Sequence, residues 1–592
     1  MNRNIRVQLL LISLFTLLTF VVLFTSRFAD DNRLTSWQWV FEQGRAVAVF
    51  LALAGSVILA FLCSRLSFPL HSPATFLFLL SFMVGALFWR EPEVIVDASR
   101  YFTQAKHLEV YGTGYFLREW GKAVQSWTDL PLVPFLYGLI FRFLGESRVY
   151  IQIFTTSLFS MTVVLTFLIG KELWDTDTGL RGGAFLLGMP YLFTQVPLML
   201  VDVPTMFFLT LSIFTFIRGL ERGGWMVAVS SASLFFAFFS KYSTWPMLSV
   251  LAVIWVVHLR KAAPCVSHST VFPPLGRDRS GTVTGEGDFN VVDRKTVLFR
   301  GAGVIFLALL MIAVVLLYKY DVFAEQIRLL FSFQKPGLRK WGESFLSTFF
   351  FQIHPFITIS ALCSCYVAFR KRDIRFAIIG WLLVLLVLFQ VKRIRYTLPL
   401  FPMLALMASC GLHYFQEKDV RRFVVLCAVV SSLSVSFFGY LPFLQRISMV
   451  NLKTAGEFLD TMDGNKVEVY TLPEKDAALN PAVAVPLLDL YTRKNIVYNY
   501  NASLFPHGEE AATSPLRFTW EYTNPGYYRV SSGDGEQNMP VVVLSEAPGG
   551  TIPGEMNDRL KGYRLVREFD TYEGVYGFRT VVAVYAPPGS SK

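Results

Sequence analysis

Two aspartates stand beside long apolar runs, and each could act as a catalytic carboxylate. Asp97 lies in "EPEVIVDASRYFTQAKHLEVYG", directly after the apolar run "TFLFLLSFMVGALF", and Asp202 lies in "LMLVDVPTMFF". Charged groups at membrane depth are costly, so function is the default hypothesis for them. Each aspartate also has a structural interpretation as the N-cap of the helix that follows it. For Asp97 this is the more common role, since Tyr101, Ala105 and Leu108 form the apolar stripe of such a helix.

Basic residues gather at the ends of two other apolar runs and could neutralise an anionic leaving group. Lys241 ends one run in "FFSKYSTWP", where the usual role of a lysine is to reach toward the lipid headgroups. Lys392, Arg393 and Arg395 cluster in "FQVKRIRYTLPLFP". Clustered Lys and Arg side chains supply several charge-assisted hydrogen bonds to phosphate oxygens. The cluster therefore indicates an anionic partner, for which phosphate is the natural candidate.

A lone histidine, His354 in "FFFQIHPF", stands near the end of another apolar run. Such a residue is more often structural than an acid, a base or a metal ligand. The sequence leaves the cofactor unknown and a divalent metal open, with Asp97, Asp202 and His354 as weak candidate ligands.

The elements that must position these residues are membrane spans. Of 592 residues, 53% are hydrophobic and only 16% are charged. Apolar runs of about 17 to 24 residues, the length that crosses a bilayer, recur along the chain. They predict a polytopic α-helical membrane protein with about thirteen spans. The predicted spans are 6–25, 46–64, 72–89, 150–172, 180–198, 203–219, 225–240, 243–258, 298–318, 346–369, 374–391, 396–414 and 420–441.

The charges of the loops predict the orientation of these spans. "RKRDIR" (370–375) and "EKDVRR" (417–422) are short and basic, which is typical of cytoplasmic loops, and "MNRNIR" at the N-terminus is placed with them. With an odd number of spans, the C-terminal region and the loop 90–149 lie outside the cytoplasmic membrane. The basic cluster of "VKRIR" then lies outside too, against the usual bias. Either the topology is off by one span or these cations bind an outer anion.

The net charge of +11 does not indicate nucleic-acid binding, because the basic residues sit in short loops between spans and form no single soluble face. We expect four regions. Residues 1–89 form N-terminal spans, and 90–149 form a first outer loop with juxtamembrane helices beginning at Asp97 and near Asp129. Residues 150–444 form a transmembrane core with a flexible cytoplasmic loop at 259–297, and 445–592 form an outer α/β domain.

The C-terminal domain has the pattern of a small α/β sheet. "NKVEVYTL", "KNIVYNY", "MPVVVLSE" and "TVVAVYAP" are predicted strands, and "AVAVPLLDLYTR" is a predicted helix. The domain carries no glycine-rich phosphate loop, no metal-ligand spacing and no nucleophile motif. We therefore expect it to cover or orient a site at the membrane surface.

Taken in order, the motifs resemble those of the GT-C membrane glycosyltransferases, in particular the branch of the protein O-mannosyltransferases and the bacterial lipid A aminoarabinose transferases. The resemblance covers roughly residues 90–415. The ordered motifs are "VDASRYFTQA", "DLPLVPFLYGLIFRFLGESR", "LIGKELWDTDTGLRGGAFLLGMPYLF", "LMLVDVPTMFFLTLSIF", "LFFAFFSKYSTWP" and "KRIRYTLPLFPMLALMA".

The resemblance implies transfer of a sugar from a polyprenyl-phosphate donor, on the outer face of the cytoplasmic membrane, to a lipid, protein or surface-glycan acceptor. Asp97 matches the acid of the first loop, and Asp202 matches the acid of the second outer loop. Lys241 matches a lysine typical of its span end. The stretch that meets the donor phosphate in the family is matched by four residues: Lys392, Arg393, Arg395 and Tyr396.

The residues also suit this chemistry on their own terms. Cations can neutralise the charge that develops on a departing polyprenyl phosphate. A carboxylate can take the proton of an acceptor hydroxyl, which is worth about 10²–10⁴-fold in rate. We assign that role to Asp97, and direct displacement would invert the anomeric centre.

The chain departs from the family pattern at two places. Many relatives have a second acid directly after the first, where this chain has Ala98. Many have Lys-Pro-Pro-Leu at the interfacial helix, where this chain has Asp129-Leu130-Pro131-Leu132.

Two functions from other classes compete with the transferase. A transporter or flippase would have charged or Gly/Pro-interrupted residues near the midplane of paired spans, together with an internal repeat. No convincing repeat is found, and the charges lie at span ends. A non-catalytic assembly factor for envelope glycans would accommodate the soluble domain but leave the basic cluster unexplained.

Overall fold

The structure is a computed structural model that is built mainly from α-helices, with a small sheet near the C-terminus. It describes residues 3–41, 45–64, 71–262, 293–336, 343–472, 481–498, 517, 524–529, 539–549, 552–575 and 579–588. Most of the predicted cytoplasmic loop 259–297 lies outside these residues. The predicted class, a polytopic helical membrane protein with a small C-terminal α/β domain, is confirmed.

Most of the predicted spans contain a helix of the described residues. The α-helices of the described residues are Arg3–Thr25, Trp37–Val40, Arg45–Ser64, Pro73–Ala86, Asp97–Tyr111, Thr113–Glu119, Leu132–Leu144, Arg148–Leu173, Thr176–Leu186, Pro190–Phe193, Asp202–Arg222, Trp225–Ser240, Thr244–Met247, Val250–Lys261, Arg294–Tyr318, Tyr320–Leu329, Pro355–Lys371, Phe376–Leu388, Ile394–Thr397, Phe401–Gly411, Lys418–Val435, Leu441–Leu444, Val450–Leu459, Pro481–Tyr491 and Gly554–Arg559.

Seven helical segments of the described chain are long and apolar enough to cross a membrane. Shorter apolar helices, among them Pro73–Ala86, Trp225–Ser240 and Phe376–Leu388, account for other predicted spans. The protein is therefore a multi-pass membrane protein, and the expected total of about thirteen spans stays a prediction. The seven segments are Asn4–Thr25, Arg45–Ser64, Arg148–Leu173, Asp202–Arg222, Arg294–Tyr318, Ile394–Tyr414 and Lys418–Leu444.

The predicted spans 243–258 and 346–369 are interrupted, the first between Met247 and Val250 and the second at Ile353-His354. The predicted span 180–198 is not a continuous helix either. Its first part belongs to Thr176–Leu186, and a four-residue helix, Pro190–Phe193, follows after a break. Proline lacks the backbone N–H that a continuing helix would need and disfavours helical backbone at the residue before it, so the chain breaks at Gly188-Met189-Pro190. The following turns lead directly to Asp202.

The long helices differ in how far they face other protein segments. In Arg45–Ser64 and Arg294–Tyr318 only 22% of the apolar window is buried, so most of their apolar side chains are left for lipid. In Asp202–Arg222 and Ile394–Tyr414 the buried share is 83% and 89%. The segments that carry Asp202 and Arg395 are therefore interior elements of the bundle.

The C-terminal domain contains five strands in the described residues: β1 (Lys466–Thr471), β2 (Asn495–Val497), β3 (Val541–Ser545), β4 (Arg564–Phe569) and β5 (Val581–Ala586). Their order in the sheet is β2-β1-β3-β5-β4. β1 is parallel to β2 and β3, whereas β5 is antiparallel to β3 and β4. All four predicted strands and the predicted helix, Pro481–Tyr491, are present. β4 was not predicted, because "RLVREF" is a mostly exposed edge strand without the pattern of a buried one.

Two helices of the loop between Ala86 and Arg148 pack closely on each other. The Asp97 helix (Asp97–Tyr111) contacts the helix Leu132–Leu144, where a Cβ atom at Gly138 would lie 2.6 Å from Leu108 Cβ and 2.9 Å from the Ala105 carbonyl oxygen. Glycine therefore permits the close approach. Tyr101, Ala105 and Leu108, the predicted apolar stripe, are all buried, which confirms this part of the prediction.

The C-terminal domain rests on the Asp97 helix through buried charges. Helix Pro481–Tyr491 packs against it, and the Asp489 carboxylate accepts hydrogen bonds from Lys106 Nζ and, at 2.7 Å, from Tyr528 Oη. Lys106 also contacts Glu146 Oε1 at 3.1 Å. Burial lowers the pKa of Lys106, but the two carboxylates outweigh it, and its pKa lies above the usual value. The ion pairs therefore fix the domain on this helix.

We expect Asp489→Ala to loosen the C-terminal domain, because it removes the buried carboxylate that pairs with the half-buried Lys106. Breaking a buried ion pair costs on the order of 3 kcal/mol. In purified protein the Tm should fall, and limited proteolysis should release C-terminal fragments faster. Asp558→Ala is the matched control, since its pair with Lys561 is exposed and contributes little. Equal Tm values for the two variants would contradict the interpretation.

Candidate active site

Arg395 lies at the centre of the candidate site, between the two aspartates singled out by the sequence. Its guanidinium donates through Nη1 to Asp97 Oδ2 and through Nε to Asp202 Oδ2, the latter at 2.8 Å. Lys241 Nζ lies 2.6 Å from the other oxygen of Asp202. Asp202 is 1% exposed and Arg395 is 7% exposed, so this is a buried ion cluster. The structure thus brings together four residues that lie far apart in sequence.

A second pair extends the cluster along the Asp97 helix. Arg100 Nη2 lies 3.7 Å from Asp97 Oδ1, and Arg100 Nε lies 2.6 Å from Asp129 Oδ2. Gln104 Nε2 donates to the same Asp129 oxygen at 3.1 Å. Charges of opposite sign thus alternate through six residues, here named the charge network: Lys241, Asp202, Arg395, Asp97, Arg100 and Asp129.

Asp129 has a defined role in this arrangement. Its backbone oxygen accepts a hydrogen bond from Gln326 Nε2 at 2.8 Å. Tyr242 Oη in turn donates to Gln326 Oε1 at 2.6 Å. The aspartate therefore neutralises Arg100 and ties the first loop to the helix Tyr320–Leu329.

The predicted N-cap role of Asp97 and Asp202 is wrong. Each is the first residue of its helix, the N-cap positions are Val96 and Val201, and neither cap makes a side-chain hydrogen bond. The carboxylates bind the cations of the charge network because, at buried sites, a charged partner stabilises them more than a backbone N–H does. Both aspartates therefore contribute a negative charge to the network and do not cap a helix.

The segments that lead into these two helices are joined by a residue that sequence reasoning missed. Glu93 is fully buried and pairs with Arg148 Nε at 2.8 Å. Its second oxygen accepts from the backbone N–H of Met199 at 3.1 Å. One carboxylate therefore links the segment before Asp97 to the turn before Asp202. The signal was present in "EPEV", two acids directly after an apolar run, but nothing local indicated a partner.

The charges around Asp97 determine its protonation. Burial alone would raise the pKa of this carboxyl, but the guanidinium groups of Arg395, Arg100 and Arg393 outweigh it, and its pKa lies well below the usual value. For Asp129 burial is the stronger effect, and its pKa is raised despite Arg100. Asp97 is therefore a carboxylate at neutral pH.

The basic stretch "KRIRY" divides into an inner and an outer part. Arg395 belongs to the charge network, and Tyr396 lies beside it, with Lys241 Nζ 4.7 Å from the ring centroid. Arg393 Cζ lies 5.8 Å from the same ring on the half-buried edge of the site. The side chain of Lys392 is exposed. Lys392, Arg393, Arg395 and Tyr396 thus lie on one short segment. Of these four, Arg395 is the residue that binds both aspartates.

His354 is engaged away from the charge network. Its Nδ1 accepts from the backbone N–H of Phe356 at 3.1 Å, and its Nε2 contacts Ser431 Oγ at 2.6 Å. The histidine thus caps the helix Pro355–Lys371. Within the described residues, no group of three or more His, Cys, Asp and Glu side chains could hold a metal ion. Within the part of the chain that the structure describes, the cations that contact Asp97 and Asp202 are the side chains of Arg100, Lys241 and Arg395.

Comparisons with known proteins agree with the resemblance found in the sequence. Residues 128–272 match the model of the dolichyl-phosphate-mannose-protein mannosyltransferase family. ArnT from Cupriavidus metallidurans bound to undecaprenyl phosphate aligns with a TM-score of 0.52 and 10% identity, over 86% of this chain and 97% of that chain. Its apo state aligns with a TM-score of 0.50 and 10% identity, over 87% and 98%. No curated protein sequence matches. The chain therefore has an ArnT-like fold.

The charge network predicts a pH dependence of stability. The pKa of Asp97 is lower in the folded protein than the value of about 3.9 in an unfolded chain, so its contribution is complete above about pH 5 and is lost on acidification. We expect the Tm of the wild type to exceed that of Asp97→Asn by a constant amount from about pH 5 to 8. The difference should shrink as the pH falls below about 4. A difference that grows on acidification would contradict the assignment.

Proposed function

We propose that this protein transfers a sugar from a polyprenyl-phosphate donor to an acceptor hydroxyl at the outer face of the cytoplasmic membrane. One observation carries the proposal: Asp97 and Asp202 pair with Arg395 and Lys241. This pairing lies where the interior segments Asp202–Arg222 and Ile394–Tyr414 begin. This arrangement supplies a carboxylate for the acceptor and cations for the donor phosphate. The ArnT-like fold supports it, since the compared ArnT structure contains undecaprenyl phosphate.

The distribution of basic loops supports the outward orientation. Helix Arg148–Leu173 begins beside Glu93 near the charge network, and its 26 residues span about 39 Å. At its other end Arg375 donates to the Leu173 carbonyl oxygen. The basic loop 370–375 therefore lies opposite the charge network. The loop 417–422 lies at the same end, since Lys418 Nζ is 3.9 Å from Asp177 Oδ2, and the positive-inside tendency assigns both loops to the cytoplasm. The charge network and the C-terminal domain then face outward.

In the reaction we assign, the acceptor oxygen attacks the anomeric carbon while the bond from that carbon to the phosphate oxygen breaks. The hydroxyl proton passes to the Asp97 carboxylate, and the bonding electrons leave with polyprenyl phosphate. Arg395 and Lys241 stabilise the growing negative charge of the leaving phosphate. Asp202, which holds both cations, positions them. The attack and the departure are on opposite faces of the sugar, so the anomeric configuration inverts.

Lys392, Arg393 and Tyr396 have an earlier role in this scheme. Lys392 is exposed and Arg393 and Tyr396 are half-buried, whereas Arg395 is buried, so a charged lipid headgroup arriving from the membrane would meet these three residues first. An exposed lysine provides long-range attraction, whereas the planar guanidinium of Arg395 provides two directed hydrogen bonds. We therefore assign Lys392 and Arg393 to capture of the phosphate and Arg395 to the chemical step.

The pairing of Asp97 with Arg395 has a consequence for the order of events. A carboxylate with a lowered pKa is a weak base, so Asp97 is poorly suited to take a proton while Arg395 is bound to it. A donor phosphate offers Arg395 a stronger anionic partner and adds a negative charge near Asp97. Both effects raise the pKa of Asp97. Donor binding therefore precedes activation of the acceptor.

We expect purified protein, given a panel of polyprenyl-phosphate sugars, to release polyprenyl phosphate from at least one of them, as the sugar passes to an added acceptor hydroxyl or to water. With that donor, Asp97→Asn should lower kcat by about 10²–10⁴-fold while the KM for the donor stays equal or falls, because the variant loses the base but keeps the cations. Asp321→Asn, an exposed carboxylate at the start of the helix Tyr320–Leu329, is the matched control and should retain the wild-type rate.

Two outcomes would contradict the proposal. Folded wild-type protein that uses no donor of the panel would favour a transporter or an assembly factor. Normal turnover by Asp97→Asn would remove this residue from the chemical step while leaving the transferase activity itself intact.

A further inference from the structure

A cavity of about 350 Å³ lies between the Asp97 helix and the C-terminal domain, beside the charge network. Its first wall is one face of the Asp97 helix, which contributes Arg100, Gln104, His107 and Tyr111. Their spacing of three and four residues places them on the same side of the helix as Asp97. The cavity therefore extends along the helix that presents the proposed base.

Two amide oxygens in the walls lack hydrogen-bond partners. Gln104 is 2% exposed, and its Oε1 has no partner within the described residues; the same is true of Asn524 Oδ1, in the C-terminal domain. The nitrogen of each amide is engaged, since Gln104 Nε2 donates to the Gln125 carbonyl oxygen at 2.9 Å and Asn524 Nδ2 to that of Tyr498 at 2.8 Å. The two free atoms are thus acceptors, and buried acceptors without partners are costly. A ligand that satisfied them would carry hydrogen-bond donors.

The same cavity is rich in aromatic side chains. Tyr111 and Tyr115 lie with ring centroids 4.7 Å apart, and Trp127 and His107 also line the space. Trp127 has a φ of 48°, a left-handed backbone conformation that is unusual for a large residue. Such conformations cluster at ligand-binding and catalytic sites, where the surrounding structure maintains them. Contacts with the surrounding structure therefore keep Trp127 in a backbone conformation that its side chain disfavours.

We propose that this cavity binds a sugar ring of the acceptor, so that the acceptor is a glycan. A sugar combines several hydroxyl donors, which would satisfy Gln104 and Asn524, with an apolar ring face that packs on aromatic rings. An acyl chain would leave the two amide oxygens unsatisfied. A peptide could also donate to the two amide oxygens through its backbone N–H groups, but it brings no sugar ring face for the aromatic side chains, and the test below distinguishes the two acceptors. The inference rests on the proposed function and names the acceptor class of the same site.

The position of the cavity agrees with the direction of transfer. Arg100 lines the cavity and lies 3.7 Å from an oxygen of Asp97, so a sugar bound there would place a hydroxyl toward the base. Lys392 and Arg393, which are assigned to the donor phosphate, do not line the cavity. The C-terminal domain, which supplies Asn524, Pro525 and Gly526 to the cavity, thereby becomes part of the acceptor site.

The test compares three acceptor probes with a donor from which the wild type releases polyprenyl phosphate: a polyprenyl-diphosphate-linked disaccharide, a water-soluble tetrasaccharide and a Ser/Thr-rich peptide. We expect labelled sugar on a glycan probe and none on the peptide. Labelling of the disaccharide alone identifies a lipid-linked glycan, and labelling of both identifies a glycan recognised without its lipid.

Variants connect that result to the cavity. Tyr115→Ala and Trp127→Ala should each raise the KM for the glycan about tenfold with kcat changed less, as loss of one aromatic contact predicts. Tyr115→Phe should restore the wild-type KM, because it keeps the ring. Tyr320→Ala, at an exposed tyrosine outside the cavity, is the control.

The outcomes separate the two proposals. Labelling of the peptide, absence of labelling on both glycans, or an unchanged glycan KM in both alanine variants would overturn the glycan inference while the donor reaction stands. Failure of the wild type to release polyprenyl phosphate from any donor would instead overturn the proposed function.

Discussion

The arrangement of the site depends on one guanidinium that two carboxylates share. Arg395 bridges Asp97 and Asp202, which begin different helices and lie 298 and 193 residues from it in sequence. Asp202 and Arg395 are buried and Asp97 is half-buried, so removal of any one of the three unbalances the charges that remain. The first loop, an interior span and the "KRIRYTLP" segment are therefore held together where the proposed chemistry takes place.

The same bridge connects structure to reaction. While Arg395 neutralises Asp97, the aspartate is a poor base, and while Asp97 and Asp202 bind Arg395, the cation is already partnered. In the proposed reaction a donor phosphate would exchange these pairings, so that binding of the anion makes Asp97 a stronger base before the acceptor is activated. The Asp97 helix carries this link further, because its next turns hold Arg100 against Asp129 and line the cavity under the C-terminal domain.

Local sequence patterns predicted the elements well and the contacts poorly. Asp97 and Asp202 were recognisable because charge is costly beside apolar runs, and the strand and helix patterns of the C-terminal domain were clear. The cap role of the two aspartates was wrong because the partner that decides it, Arg395, is distant in sequence. Glu93 was missed for the same reason, and so was Lys106, whose carboxylate partners lie in other elements. The hydrophobic periodicity of a sequence does not predict ion pairs between residues that are distant in the chain.

The most direct test of the exchange of partners is the pKa of Asp97 with and without undecaprenyl phosphate. The carboxylate stretching bands of Asp97, assigned by their loss in Asp97→Asn, can be followed against pH by infrared difference spectroscopy of the purified protein. We expect the pKa of Asp97 to lie below its usual value in the free protein and to rise when the phosphate lipid binds. A pKa that stays unchanged or falls on binding would show that the phosphate does not draw Arg395 from Asp97.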